Sequence, residues 1–153
     1  MHRFTMDVTT LVEESPRARL LIVNDDLLIR ELHAVVLRMD GYEVATVADG
    51  VAALELLAEE HFDLVLTERH MPKFDGASIL LALRSAGSRI PVIMISGSLA
   101  DNPLPPGIVR EISAALPKRA RTAEVLSAVA RALSPAPSHE SPRRPPRAHL
   151  VTA

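Results

Sequence analysis

Four short apolar runs in this 153-residue chain each lead directly into polar residues suited to phosphate or metal chemistry. Leu20-Leu21-Ile22-Val23 runs into Asn24-Asp25-Asp26, Leu64-Val65-Leu66-Thr67 into Glu68, Val92-Ile93-Met94-Ile95 into Ser96, and Ala114-Ala115-Leu116 into Pro117-Lys118. Carboxylates drawn from separate segments suit a hard divalent cation such as Mg²⁺. A hydroxyl and an ammonium suit the oxygens of a phosphoryl group held beside it. A single such residue at the end of a loop is ordinarily just solvated; four at equivalent positions argue for a shared rim.

That rim exists only if the apolar runs are strands lying side by side. Arg19 to Val23 is almost wholly apolar, as expected of a parallel strand buried on both faces. Leu28, Leu32, Val35, Val36 and Met39 then recur as one stripe of a helix that stops before Gly41. A strand over 42–47, an Asp49-Gly50 turn and a helix over 51–60 follow. A third strand over 64–67 leads to a loop with Pro72 and Gly76 and a helix over 77–85. The fourth strand is expected at 92–96, and a short fifth at 114–116. The last helix has Leu126, Val129, Ala130 and Leu133 as its inner stripe. Five strands alternating with helices predict an α/β fold, a doubly wound five-stranded parallel sheet, because parallel neighbours need helical crossovers. Ligands of such sheets bind at the carboxyl ends of the strands, where the polar residues lie.

Composition narrows the partners. At 48% hydrophobic and 24% charged residues the chain is expected to form one domain, with no room for a second full one. It has no Cys, which removes disulfide frameworks and thiolate zinc sites. One Tyr, three Phe, no Trp and a net charge of -2 offer little to nucleic acid, and no DNA-binding motif follows the sheet. No apolar run reaches membrane-spanning length and no signal peptide is visible, so a soluble, cytoplasmic protein is expected. Residues 1–18 read as a loose leader and 19–133 as the domain. Residues 134–153, with five of the twelve prolines, read as a disordered Pro/Arg-rich tail. Its Arg143-Arg144-Pro145-Pro146-Arg147 run reads as solvated chain.

Between residues 19 and 133 the sequence resembles the receiver domain of two-component response regulators, a flavodoxin-like fold. Leu21-Ile22-Val23-Asn24-Asp25-Asp26 resembles that family's first strand and acidic pair. Phe62-Asp63-Leu64-Val65-Leu66 with Met71-Pro72-Lys73-Phe74-Asp75-Gly76 is similar to its third strand and Met-Pro-x-x-Asp-Gly loop. Pro91 to Gly97 is similar to its fourth strand with the terminal Thr or Ser. The resemblance implies a signalling module rather than an enzyme. Its partners would be a histidine kinase, a phosphotransfer protein or another regulator, and it would be a monomer or weak homodimer.

Several positions depart from the family pattern. Its phosphoacceptor aspartate is replaced by Glu68, and Asn24 stands for the first acid. Glutamate is one methylene, about 1.5 Å, longer, and misplacement of about 1 Å can cost in-line transfer roughly 100-fold. The longer side chain could accept from Ser96 and pair with Lys118, a partial built-in copy of the phosphorylated state. Asp25, with Asn24 and Glu68, would then bind Mg²⁺ weakly, and Asp26 would open the next helix. The family's aromatic switch residue is Ala115 here, and the Pro that usually follows its lysine instead precedes Lys118. The segment Asp101-Asn102-Pro103-Leu104-Pro105-Pro106-Gly107 predicts a fourth helix that is missing, or short and shifted to about 108–113.

Phosphorylation-independent signalling, decay to a passive scaffold and residual phosphorylation all stay open at Glu68. A Mg²⁺-dependent phosphoryl-transfer enzyme on a similar sheet is the alternative from another class, but Asn24-Asp25-Asp26 lacks the nucleophile spacing for it. His33 reads as a polar helix-face residue and His70 as an exposed loop residue.

Overall fold

A computed structural model describes residues 15–134; the leader up to residue 14 and the tail beyond Ser134 lie outside them. The five strands are β1 (Arg19–Val23), β2 (Glu43–Val47), β3 (Leu64–Glu68), β4 (Val92–Ser96) and β5 (Ala114–Pro117). They form one parallel sheet in the order β2-β1-β3-β4-β5. The helices are α1 (Leu27–Met39), α2 (Gly50–Glu59), α3 (Gly76–Ser85), α4 (Pro106–Val109) and α5 (Thr122–Leu133). The doubly wound α/β architecture expected from the alternation is therefore the one adopted.

Alternation along each strand divides the core into two layers. Leu20, Ile22, Leu64, Leu66, Ile93 and Ile95 face α1 and α5, where they meet Ala34, Leu37, Val125 and Val129. Leu21, Val23, Val65 and Val92 face the other way, onto Ala53 of α2 and Ile79, Leu80 and Leu83 of α3. Each fully buried Leu or Ile contributes roughly 1.5–3 kcal/mol. Burial on both faces explains why these strands lack polar alternation.

Three aspartates start the first three helices. The side chains of Asp26, Asp49 and Asp75 accept the N–H groups of Ile29, Ala52 and Ser78 at 3.1, 2.8 and 2.9 Å, each cap worth about 1 kcal/mol. The Met-Pro-x-x-Asp-Gly stretch thus does structural work. Lys73 takes a positive φ of 69° to turn the chain, Asp75 caps α3, and Gly76 brings α3 against the end of β3.

Two expectations need correction. Of the stripe Leu28, Leu32, Val35, Val36 and Met39, only Val36 is half-buried; the other four face away from the sheet, with Leu28 82% and Met39 83% exposed. The buried face of α1 is His33, Ala34 and Leu37. Both faces of this helix are apolar, and the sheet takes the one where Ala34 allows close approach. His33 is therefore buried rather than on an open helix face; its Nδ1 has no partner and burial lowers its pKa below 6.5. The fourth helix is short, as expected, but spans Pro106–Val109 rather than a segment shifted to 108–113. A proline is tolerated in the first turn because its missing N–H would have no partner there.

A Cβ added at Gly76 would lie 2.5 Å from the Glu68 carbonyl oxygen, backbone against backbone. Gly76→Ala is expected to cost roughly 1–3 kcal/mol, read as a lower urea midpoint. Gly107→Ala, which meets nothing within 4 Å, should leave the midpoint in place.

Candidate functional site

The strand order sets the carboxyl ends of β1, β3, β4 and β5 along one edge of the sheet, so the four polar ends meet as the spacing implied. At β1, Asn24 is buried and mainly shapes the turn. Its side-chain oxygen accepts the Asp26 N–H at 2.9 Å, and its backbone oxygen accepts from Arg30 at 2.8 Å. Asp26 is committed to capping α1, which leaves Asp25 as the exposed carboxylate of this turn.

Glu68 ends β3, the middle strand, opposite Ile95 in the ladder, and is only 3% exposed. One oxygen, Oε1, accepts the His70 N–H at 3.5 Å; Oε2 is buried without a partner. Burial disfavours the charged form and raises the carboxyl pKa above 4.5. The His70 amide and the Lys118 charge oppose that rise, and the Asp25 charge adds to it.

Ser96 is buried at the end of β4, with its Oγ accepting the Ser98 N–H at 3.3 Å. Lys118 is tied to β4 through its own N–H, which donates to the Ser96 carbonyl at 3.1 Å. Its stem passes Gly97, where an added Cβ would lie 3.6 Å from the Lys118 Cδ, and the residue is exposed. Among the described residues Glu68 has no hydrogen bond to Ser96 and Lys118 no ion pair. The expected Glu68 contacts with Ser96 and Lys118 are thus not formed. Ser96 is turned into its own loop, while Lys118 follows the outside of Gly97.

The donor set suits Mg²⁺ poorly. Asp25 and Glu68 are two carboxylates, the Asn24 oxygen already holds an N–H, and no group of three His, Asp or Glu able to hold a metal occurs among the described residues. Ala115 lies exposed on the edge strand β5 and lines an open depression against α5, bordered by Ala123, Ser127 and Arg131.

Arg69 is a site residue that sequence reasoning missed. It is buried beside Glu68, and its guanidinium donates to the carbonyls of Asn102 and, at 3.4 Å, Pro103. Its backbone N–H donates to Ile95 at 2.7 Å and its carbonyl accepts from Gly76 at 3.0 Å. One residue therefore joins β3, β4, α3 and the proline-rich loop. Nothing in Glu68-Arg69-His70 signals this, because the loop lies 33 residues away in sequence.

The chain belongs to the response regulator receiver domain family, whose model matches residues 20–130. Among curated relatives it is 32% identical over 127 residues to the response regulator MprA of Mycobacterium sp. strain KMS, covering 81% of this chain and 55% of that protein. It is 41% identical over 90 residues to the probable transcriptional regulator ycf27 of Cyanophora paradoxa, covering 58% of this chain and 37% of that one. The chain thus spans about half, or less, of these relatives' length. Among solved structures, the Vibrio cholerae chemotaxis protein CheY4 matches with a TM-score of 0.67 at 27% identity, covering 76% of this chain and 98% of that one. A receiver domain protein from Clostridium thermocellum matches with a TM-score of 0.68 at 25% identity, covering 76% and 94%.

Because the folded state raises the Glu68 pKa above its unfolded value, it binds the proton more tightly than the unfolded chain does. The penalty is fully present above the folded pKa and is relieved as pH falls through that value towards 4.5. Glu68→Gln is therefore expected to raise stability at neutral pH, with the gain shrinking on acidification in paired urea titrations. Arg69→Gln should speed amide hydrogen exchange across 99–110 while β1 keeps its protection.

Proposed function

We propose that this receiver domain signals without phosphorylation, through contacts with a histidine kinase, a phosphotransfer protein or another regulator. The observation that carries the reading is Glu68 at the acceptor position, buried and standing apart from Ser96 and Lys118. Phosphoryl transfer needs an exposed carboxylate aligned with its donor, beside a bound cation and a lysine that neutralises the growing charge. Glu68 is longer than the family's aspartate and only 3% exposed, with one carboxylate oxygen buried without a partner, so a phosphodonor has poor access to it. With Asp25 as its other carboxylate, Mg²⁺ binds weakly and mostly through water.

In this reading the module, residues 19–133, is not an enzyme. It works in the cytoplasm, flanked by a leader and a Pro/Arg-rich tail, and its body has no surface suited to nucleic acid. No helix among the described residues is long and apolar enough to cross a membrane. A passive scaffold is the second reading, favoured by Ser96 and Lys118 forming no hydrogen bond or ion pair with Glu68, Ser96 being bonded within its own loop and Lys118 being exposed.

Incubation with acetyl phosphate and Mg²⁺, followed by intact-mass spectrometry, is expected to add no phosphoryl group to the wild type, whereas Glu68→Asp restores labelling. Stable labelling of wild-type Glu68 overturns the proposal. If Glu68→Asp also stays unlabelled, the larger defect lies at Asn24 or the Lys118 loop. Glu68→Ala separates the two readings in a pull-down with the cognate kinase: lost binding marks a built-in signal, and unchanged binding a scaffold.

A further inference from the structure

Helix α1 is apolar on its outer face as well as its inner one. Leu28, Leu32, Val35 and Met39, exposed by 82, 57, 49 and 83%, follow one another at i, i+4, i+7 and i+11. Outside α1 the large exposed apolar residues, Val51, Leu81 and Val109, lie singly on three different helices, and the neighbouring α5 turns Glu124, Ser127 and Arg131 outward. A helix apolar all round is normally covered on all sides, and a continuous exposed stripe marks a docking face.

The chain enters the domain beside one end of that stripe. Arg17, two residues before β1, donates its N–H to the Gly41 carbonyl at 3.1 Å; its guanidinium pairs with the Asp40 carboxylate at 2.8 Å and lies over the Tyr42 ring. Asp40 directly follows Met39 and ends α1. Residues 1–14, which lie outside the described structure, therefore join the domain next to Met39. Their sequence carries a matching face. Of their six apolar residues, Met1, Phe4, Val8, Leu11 and Val12 share one stripe at helical spacing, and Met6 is the exception.

We propose that residues 1–12 lie as a helix along the outer face of α1 and cover its apolar stripe. The two helices run parallel, because the leader and α1 both run opposite to β1, which follows the one and precedes the other. Val12 then falls beside Met39, Val8 beside Val35, Phe4 beside Leu32 and Met1 beside Leu28. Both stripes are about 16 Å long at 1.5 Å per residue. Residues 13–16 can span up to about 13 Å, enough to lead from Val12 to the anchored Arg17. Pro16 disfavours helix at Ser15, so the chain turns there. A helix of this length is marginal in water by itself, and the segment depends on α1 for its order. The inference rests on α1 and the anchor at Arg17 and stands whatever Glu68 does.

Hydrogen exchange on the full chain is expected to be slowed roughly tenfold at amides 5–12. Leu32→Glu, at an exposed position, should remove that protection while β1 keeps its own. The chain has no native Cys, so an engineered pair gives a second readout. Val8→Cys/Val35→Cys should oxidise within one chain about tenfold or more faster than Val8→Cys/Leu81→Cys, whose second site is exposed on α3 across the sheet. Unprotected amides 5–12 in the wild type, protection that survives Leu32→Glu, or equal oxidation of the two pairs overturns the proposal. Protection that grows with protein concentration, or disulfides that link two chains, overturns it in favour of a second copy.

Discussion

The candidate site is built around the end of β3, the middle strand, whose five residues are all buried and whose last residue is a carboxylic acid. Burial on both faces gives this strand its rigidity. The same burial makes it an unfavourable place for charge, since a carboxylate withdrawn from water must find partners or hold its proton. Glu68 finds one weak partner in the His70 amide and none for its other oxygen. The next residue, Arg69, is buried too, but it spends its charge on carbonyls of a distant loop. Two adjacent buried ionisable groups thus serve different ends.

This arrangement clarifies what a glutamate does at a receiver acceptor position in this chain. A phosphoryl group carries about -1.5 to -2 charge and three strong acceptors, enough to draw a hydroxyl and an ammonium inward. A single half-satisfied carboxylate with a raised pKa offers far less. Ser96 accordingly stays with Ser98 and Lys118 stays outside. The proline-rich loop is pinned by Arg69, and Ala115 lines an open depression on β5. The end of β3, the proline-rich loop and β5 therefore all depart from the pattern of a phosphate-driven switch.

Much of the fold was legible because a doubly wound sheet writes itself locally. Apolar runs of strand length, Asp at the helix starts and the turn before α3 all act within a few residues. The polar ends of β1, β3, β4 and β5 could be gathered from strand order alone. The facing of α1 could not. Its inner set, His33, Ala34 and Leu37, is shorter and less apolar than the outer Leu28, Leu32, Val35 and Met39, so hydrophobic periodicity favoured the wrong side. What decided it was the distance at which a helix can lie on the sheet, for which a small residue at the contact counts more than a long apolar one.

The amino-acid sequence by itself determined the family, the strand order's chemistry and the identity of the atypical residues, since each depends on residue type at a position. Tertiary structure alone decided whether Glu68 would meet Ser96 and Lys118, which carbonyls Arg69 would hold and which side of α1 would face solvent. Those outcomes turn on distances of an ångström or two between segments far apart in the chain. Hydrogen bonds and burial energies change steeply over such distances, and no local pattern of residues encodes them.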